Sequence, residues 1–212
     1  MNVDHRAANH KPAHTSHAGR RRRLLPTLVF FVVPWLAAAS HAADWNLDAL
    51  MQAMAQHTSS HASFVETKTM SMLDAPIESS GELRFTAPDY LEMRTLKPKP
   101  QTLILRANQL TVNLGRVNHQ LSLADHPDIA SLIESIRATL NGDGHALQHD
   151  YTVSLSGDAA QWTLNLVPLA AKARARVSAI SIDGQLGRLH SVAVQQPDGD
   201  HSLMTIHEQA GP

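Results

Sequence analysis

The sequence predicts an α+β, mainly β domain: a strongly curved antiparallel sheet, or half-open β-barrel, of about ten strands, with helices covering the concave face. Segments of alternating apolar and polar residues recur with turn signals about every ten to fifteen residues, which is the rhythm of antiparallel hairpins and not of βαβ units. Two amphipathic helical stripes, Trp45 to His57 and Pro127 to Leu140, interrupt the strands. About ten strands are too many for an open sheet to stay flat, so the sheet must curl.

Upstream of these elements stands a leader. Four consecutive arginines, Arg20 to Arg23, precede an uncharged run from Leu24 to Ala39, and small residues follow at Ser40, Ala42 and Ala43. A basic stretch, an apolar stretch and a small-x-small exit predict a secretory signal peptide over residues 1–42, cleaved after Ala42. A single membrane anchor is the competing interpretation, since the run approaches the length of a thin span. Pro26, Pro34 and the immediate small-residue exit favour cleavage. The arginine pair also raises twin-arginine export, with Leu24 and Leu25 its only further support.

The expected mature chain, residues 43–212, is long enough for one domain with a real core. It carries 12 basic and 18 acidic side chains, a formal charge of −6, which argues against nucleic acid or an anionic membrane surface as its main partner. Cysteine is absent, excluding a disulfide, a thiolate zinc site and a lipidated cysteine. Together these features predict a protein exported through a cleavable signal peptide and soluble in its compartment, which is expected to be a monomer.

Each element has its own local signal. In the first helix Leu47, Leu50, Met51 and Met54 follow the i, i+3, i+4, i+7 pattern, with Asp44 or Asn46 available as a cap. His61 to Leu73 has the β-branched and aromatic content of a strand, and Asp74 to Ser80 should turn. Gly81 to Thr95 reads as two strands joined by a Pro-Asp corner. Leu83 and Phe85 share one face of the first, and Leu91 and Met93 one face of the second. After the stiff Lys97-Pro98-Lys99-Pro100 connection, Leu103 and Leu105 run in, Ala107 to Gln109 turn, and Leu110, Val112 and Leu114 run out. Arg116 to Leu123 forms another short strand. Asp125 is placed to cap the second helix, Pro127 suits its first turn, and Asn141-Gly142-Asp143 ends it. Its stripe is Ile129, Leu132, Ile133, Ile136 and Leu140. The remainder is a meander with turns expected at Gly157-Asp158, Asp183-Gly184 and Pro197 to Asp200.

Catalytic constellations are missing from this pattern. No G-x-S-x-G, P-loop or G-x-G-x-x-G occurs. His57 and His61 straddle a helix end, and His145 and His149 lack the glutamate of an H-E-x-x-H site, so both pairs read as surface histidines. Asp198 and Asp200 sit in a hairpin turn, where aspartate is expected for conformational reasons. Neither enzyme activity nor a cofactor is predicted.

The order of elements carries a resemblance. A helix followed by HASFVETK (His61 to Lys68), then Gly81, Leu83, Phe85, Pro88, Asp89 and Leu91 in a G-x-L-x-F-x-x-P-D-x-L pattern, then a central helix, resembles the periplasmic outer-membrane lipoprotein carrier protein LolA family. Ile182-Asp183-Gly184 followed by Gln196 to Asp200 is similar to that family's last hairpins. The resemblance implies a cavity that holds acyl chains in transit, with an inner-membrane donor complex and an outer-membrane acceptor as partners. It departs at Ala87, where the carriers place an arginine that tethers the helical lid, and at Ala107-Asn108, Thr111 and Asn113, where they favour a D-G turn and aromatics.

The function expected is therefore a carrier for the acyl chains of a lipoprotein or another lipid-like amphiphile. The lining expected from the strands is Phe64, Leu83, Phe85, Leu91, Met93, Leu103, Leu105 and Val112. From the helices come Leu50, Met51, Met54, Leu132, Ile133 and Ile136. An ordinary core would use the same residues, so function differs from core only if the space between helices and sheet is left unfilled. The alternative is a periplasmic sensor or interaction module that binds a protein through the same fold.

Overall fold

A computed structural model describes residues 45–209. The expected signal peptide, its cleavage after Ala42 and the alternative cap Asp44 lie outside the described residues.

Helix α1 (Leu47–Ala55) starts where the Asn46 side chain accepts the Ala49 N–H at 3.0 Å, and it buries Leu50, Met51 and Met54. Strands β1 (Ser59–Thr69), β2 (Ile77–Thr86), β3 (Tyr90–Lys97), β4 (Gln101–Arg106), β5 (Gln109–Leu114) and β6 (Val117–Ser122) follow as one antiparallel meander. Strand β1 stops at Thr69, before the expected Leu73, and β2 begins at Ile77, inside the expected turn. Pairing with β1 reaches back to Ile77 opposite Lys68, so register extends a strand whose local sequence reads as a turn.

A short 3₁₀ turn, Leu123–Asp125, leads into helix α2 (Pro127–Asn141). Asp125 does not cap this helix: the 3₁₀ turn absorbs it, and His126 takes the cap position without a side-chain bond. Gly142 ends α2 at φ 68°, a left-handed conformation that glycine adopts without a Cβ penalty. Asp143 then caps α3 (Gly144–Asp150) by accepting the Ala146 N–H at 2.9 Å. This helix has no apolar stripe that would reveal it in the sequence.

The chain finishes with β7 (Tyr151–Asp158), β8 (Gln161–Pro168), the single-turn helix α4 (Ala171–Arg174), β9 (Ala179–Gln185), β10 (Arg188–Gln195) and β11 (His201–Glu208). Two turns fall later than expected. Asp158 is the last residue of β7, and its carboxylate accepts the Ala160 and Gln161 N–H groups of the turn proper. Asp183-Gly184 lies inside β9, and the chain turns at Leu186-Gly187. Gly184 is opposite Trp162, whose indole packs where a Cβ would stand and donates to the Leu186 carbonyl at 2.8 Å. That glycine serves close packing within a strand.

Among the described residues the strands form one 11-stranded sheet in the order β6-β5-β4-β3-β2-β1-β11-β10-β9-β8-β7. The fold is mainly β, an open curved antiparallel sheet with a few helices. The last strand closes on the first: Phe64 pairs with Ile206 and Lys68 with Ser202. The segment carrying α2 and α3 connects β6 to β7, the two outer strands of that order.

Apolar packing is divided. A large cluster gathers Trp162, Leu164, Leu166, Ile180 and Ile182 from β8 and β9 with Leu50, Met51 and Met54 of α1 and Leu147 of α3. A smaller one joins Leu105, Leu110 and Leu123, with Ala130 and Ile133 of α2 against it.

Candidate ligand-binding cavity

Between the two clusters the concave face is not filled. A cavity of about 560 Å³ opens there, walled by strands β1 to β5, β10 and β11 and by helices α1 and α2. Register explains the wall. Phe85, Leu91, Leu105 and Leu110 are successive cross-strand partners, and Leu83, Met93 and Leu103 form the next row. Side chains alternate across a strand, so these rows share one face of the sheet.

Ten of the expected residues line the cavity: Met54, Leu83, Phe85, Leu91, Met93, Leu103, Leu105, Leu132, Ile133 and Ile136. The other four do not. Leu50 is 0 % exposed in the large cluster, one helical turn from Met54 and facing β8 and β9 with it. Met51 belongs to that cluster and borders a second, smaller depression beside α3. Phe64 is fully buried in the sheet's middle rows, and Val112 packs against the small cluster.

Sequence reasoning missed a second wall made of Leu189, Val192, Val194, Met204 and Ile206 on β10 and β11, together with Leu110 and Leu140. The alternation of Ser202, Met204 and Ile206 is visible in the sequence. That it faces the same space as Leu83 follows only from the pairing of β11 with β1.

Polar residues mark the ends of this wall. On β1, Ala62 and Phe64 are buried, Glu66 and Lys68 are half-buried on the same alternating face, and Val65 and Thr67 are exposed between them. Glu66 accepts the Ser79 hydroxyl at 3.3 Å. Beyond Lys68, the Asp200 carboxylate accepts the Ser71 N–H at 2.7 Å, which holds it below the usual carboxylate range with Lys68 adding a smaller attraction.

Helix α2 is anchored over the cavity by polar contacts. Buried Tyr151 donates to the Ser131 carbonyl at 2.7 Å and lies 2.8 Å from its hydroxyl. Burial raises the tyrosine's pKa, partly offset by the Ser131 and Ser135 hydroxyls. Arg137 donates to the Ala107 carbonyl at 3.0 Å and pairs with Glu134. Tyr90 donates to Glu92 at 2.5 Å, which raises its pKa, and Arg106 lies 5.0 Å from its ring centre.

Among the described residues no group of three or more His, Asp or Glu is placed to hold a metal ion. His145 and His149 sit on α3, and His149 Nδ1 lies 2.8 Å from the Asp150 carboxylate. Among the same residues no helix is long and apolar enough to cross a membrane.

A family model described as outer membrane lipoprotein carrier protein LolA-like matches residues 37–209. No curated protein matches the chain. Among solved structures, a LolA superfamily protein from Nitrosomonas europaea is 10% identical with a TM-score of 0.43, over 79% of this chain and 96% of its own. A DUF1329 family protein from Desulfovibrio piger is 14% identical with a TM-score of 0.45, over 78% and 92%. The MucA/MucB complex of Pseudomonas aeruginosa gives 16% identity and a TM-score of 0.43, over 78% of this chain and 56% of the matched one.

Proposed function

The chain belongs to the outer membrane lipoprotein carrier protein LolA-like family, and from that premise we propose that it is a non-enzymatic carrier. It takes the acyl chains of a lipoprotein, or of another lipid-like amphiphile, into its cavity and moves them across the periplasm toward the outer membrane. An inner-membrane donor and an outer-membrane acceptor would complete the route. Residues 1–42 would be the export signal, and residues 43–212 the single working domain.

The observation that supports this reading is space left unfilled beside a core that is filled. Protein interiors pack as densely as organic crystals. Here Trp162, Leu164, Ile180 and Ile182 are fully buried, while across the same concave face about 560 Å³ lies open between apolar walls. That volume is in the range of ligand pockets, roughly 300–1,000 Å³. Transfer of a chain out of water is worth about 0.8 kcal/mol per methylene, so an enclosed apolar path is what makes transit through an aqueous compartment feasible.

Native mass spectrometry of the protein purified from the periplasm, followed by organic extraction, tests the proposal. The expected result is a bound lipid-like molecule recovered in repeated preparations. Empty protein from cells rich in lipid and lipoprotein would overturn it.

A further inference from the structure

We propose that the cavity takes a single-chain amphiphile, its tail under α2 and its zwitterionic headgroup at the end marked by Glu66 and Lys68. This rests on the carrier reading above and, of its two classes of cargo, takes the lipid-like amphiphile and not the multiply acylated lipoprotein.

Volume bears on the number of chains. A methylene group fills about the same space as a water molecule, roughly 30 Å³ in the liquid. A cavity of about 560 Å³ therefore holds on the order of 19 such groups, one long acyl chain. A lipid with two such chains needs about twice that space and would leave one chain in water.

The polarity of the wall sets the direction of the chain. At one end Phe85, Leu91, Leu105 and Leu110 form a continuous cross-strand row, with Leu140 and Met54 from the helices lining the same space. His57, Ser60 and Glu208 border this end too, but there the Glu208 carboxylate is answered by Arg188 at 2.8 Å. The β2–β3 corner and the β4–β5 turn at this end are bonded to α2 through Asn141 and Arg137. Along β1 from Ser60 to Lys68, a run of about 26 Å at 3.3 Å per residue, the lining changes character. Glu66 pairs with Met204 and Lys68 with Ser202, and Gln101 and Gln196 line the same cavity.

Charged side chains on the concave face of a sheet are rare unless something answers them. Glu66 and Lys68 stand two residues apart on one face, opposite in sign, both half-buried. Glu66 accepts only a long 3.3 Å bond from Ser79 among the hydrogen bonds described. The Asp200 carboxylate that attracts Lys68 already accepts the Ser71 N–H through Oδ1. An anion and a cation side by side complement a headgroup carrying both charges, such as a phosphate with a quaternary or primary ammonium.

The test is a competition. The mature protein is incubated with equimolar palmitoyl-lysophosphatidylcholine and dipalmitoyl-phosphatidylcholine, and complexes are counted by native mass spectrometry. One lysolipid per protein, favoured over the diacyl lipid by about tenfold or more, is the expected result. Equal capture of the diacyl lipid, or two lysolipids per protein, overturns the single-chain inference while leaving the carrier reading standing. Capture of neither removes both. For the headgroup, Glu66→Lys should shift the preference from lysophosphatidylcholine toward lysophosphatidylglycerol by about two- to fivefold, the scale of a partly exposed charge pair. Lys68→Gln, which removes the cation conservatively, should weaken lysophosphatidylglycerol capture if the first variant does not fold. An unchanged preference in a folded variant places the headgroup elsewhere and overturns the assigned direction.

Discussion

The Asn141 side-chain amide donates to the Pro88 carbonyl at 2.7 Å, joining the last turn of α2 to the corner between β2 and β3. Pro88 follows Ala87, the position where the family resemblance implies a lid-tethering arginine. Here the tether runs the other way, from the helix to the sheet. Arg137, one turn earlier, makes a parallel connection to the β4–β5 turn through the Ala107 carbonyl.

Removing both connections should free the end of α2. For Arg137→Ala with Asn141→Ala we expect a loss of about 1–3 kcal/mol, two hydrogen bonds at roughly 0.5–1.5 kcal/mol each. Hydrogen exchange followed by mass spectrometry should show faster exchange in α2 and little change in β8 and β9. Unaltered exchange in α2 would mean that apolar packing alone holds the helix.

An open cavity and a filled core respond oppositely to added bulk. Met93→Trp should leave the melting temperature nearly unchanged and block lipid capture, because the new ring enters existing space. Leu164→Trp, at a site with 0 % exposure, should cost about 1–3 kcal/mol or more by overpacking. Equal destabilisation in thermal melts would show that Met93 is ordinary core.

Gly184→Ala tests the contact that moved a predicted turn into a strand. The new methyl group would meet the Trp162 indole and the Arg188 carbonyl. A loss of about 1–3 kcal/mol is expected, with a change in tryptophan emission as the indole is displaced. A neutral substitution would contradict the packing.

Acid should loosen the far end of the sheet. The Ser71 N–H holds the Asp200 pKa below its ordinary value, so the folded state binds this proton less readily than the unfolded chain. The contribution to stability is complete above the unfolded carboxylate value, about 3.9, and is lost as pH falls through the lower folded value. Asp200→Asn should be less stable than wild type at neutral pH, with the difference closing as pH falls through that range. Denaturant unfolding at several pH values measures it, and a constant difference would disprove the assignment.

How much was legible depends on the range of the interaction involved. The Gly142 stop and the facing of Leu83, Phe85, Leu91 and Met93 rest on neighbours within a few residues or one hairpin, and the structure has them where the sequence placed them. Of the two caps the sequence offered, Asp44 and Asn46, Asn46 caps the first helix. Asp125 failed as a cap because a 3₁₀ turn shifted the helix start by a residue, a difference below the resolution of local pattern. Gly184 looked like a turn residue because Asp-Gly usually turns, and only the Trp162 ring across the strand pair shows why glycine stands there.

Apolar periodicity by itself determined the class of fold, the two long helices and most of the first cavity wall, since periods of 2.0 and 3.6 are properties of the local backbone. Tertiary structure alone decided that β11 closes against β1, which brings Val192, Met204 and Ile206 opposite Leu83 and Met93. It also decided which apolar stripes meet one another and which face empty space. Leu50 and Met54 carry the same signal in the sequence, yet one is wholly in the core and the other also borders the cavity. Residue type states that a side chain leaves water, and only the arrangement of distant strands decides whether another side chain or an open cavity lies on its far side.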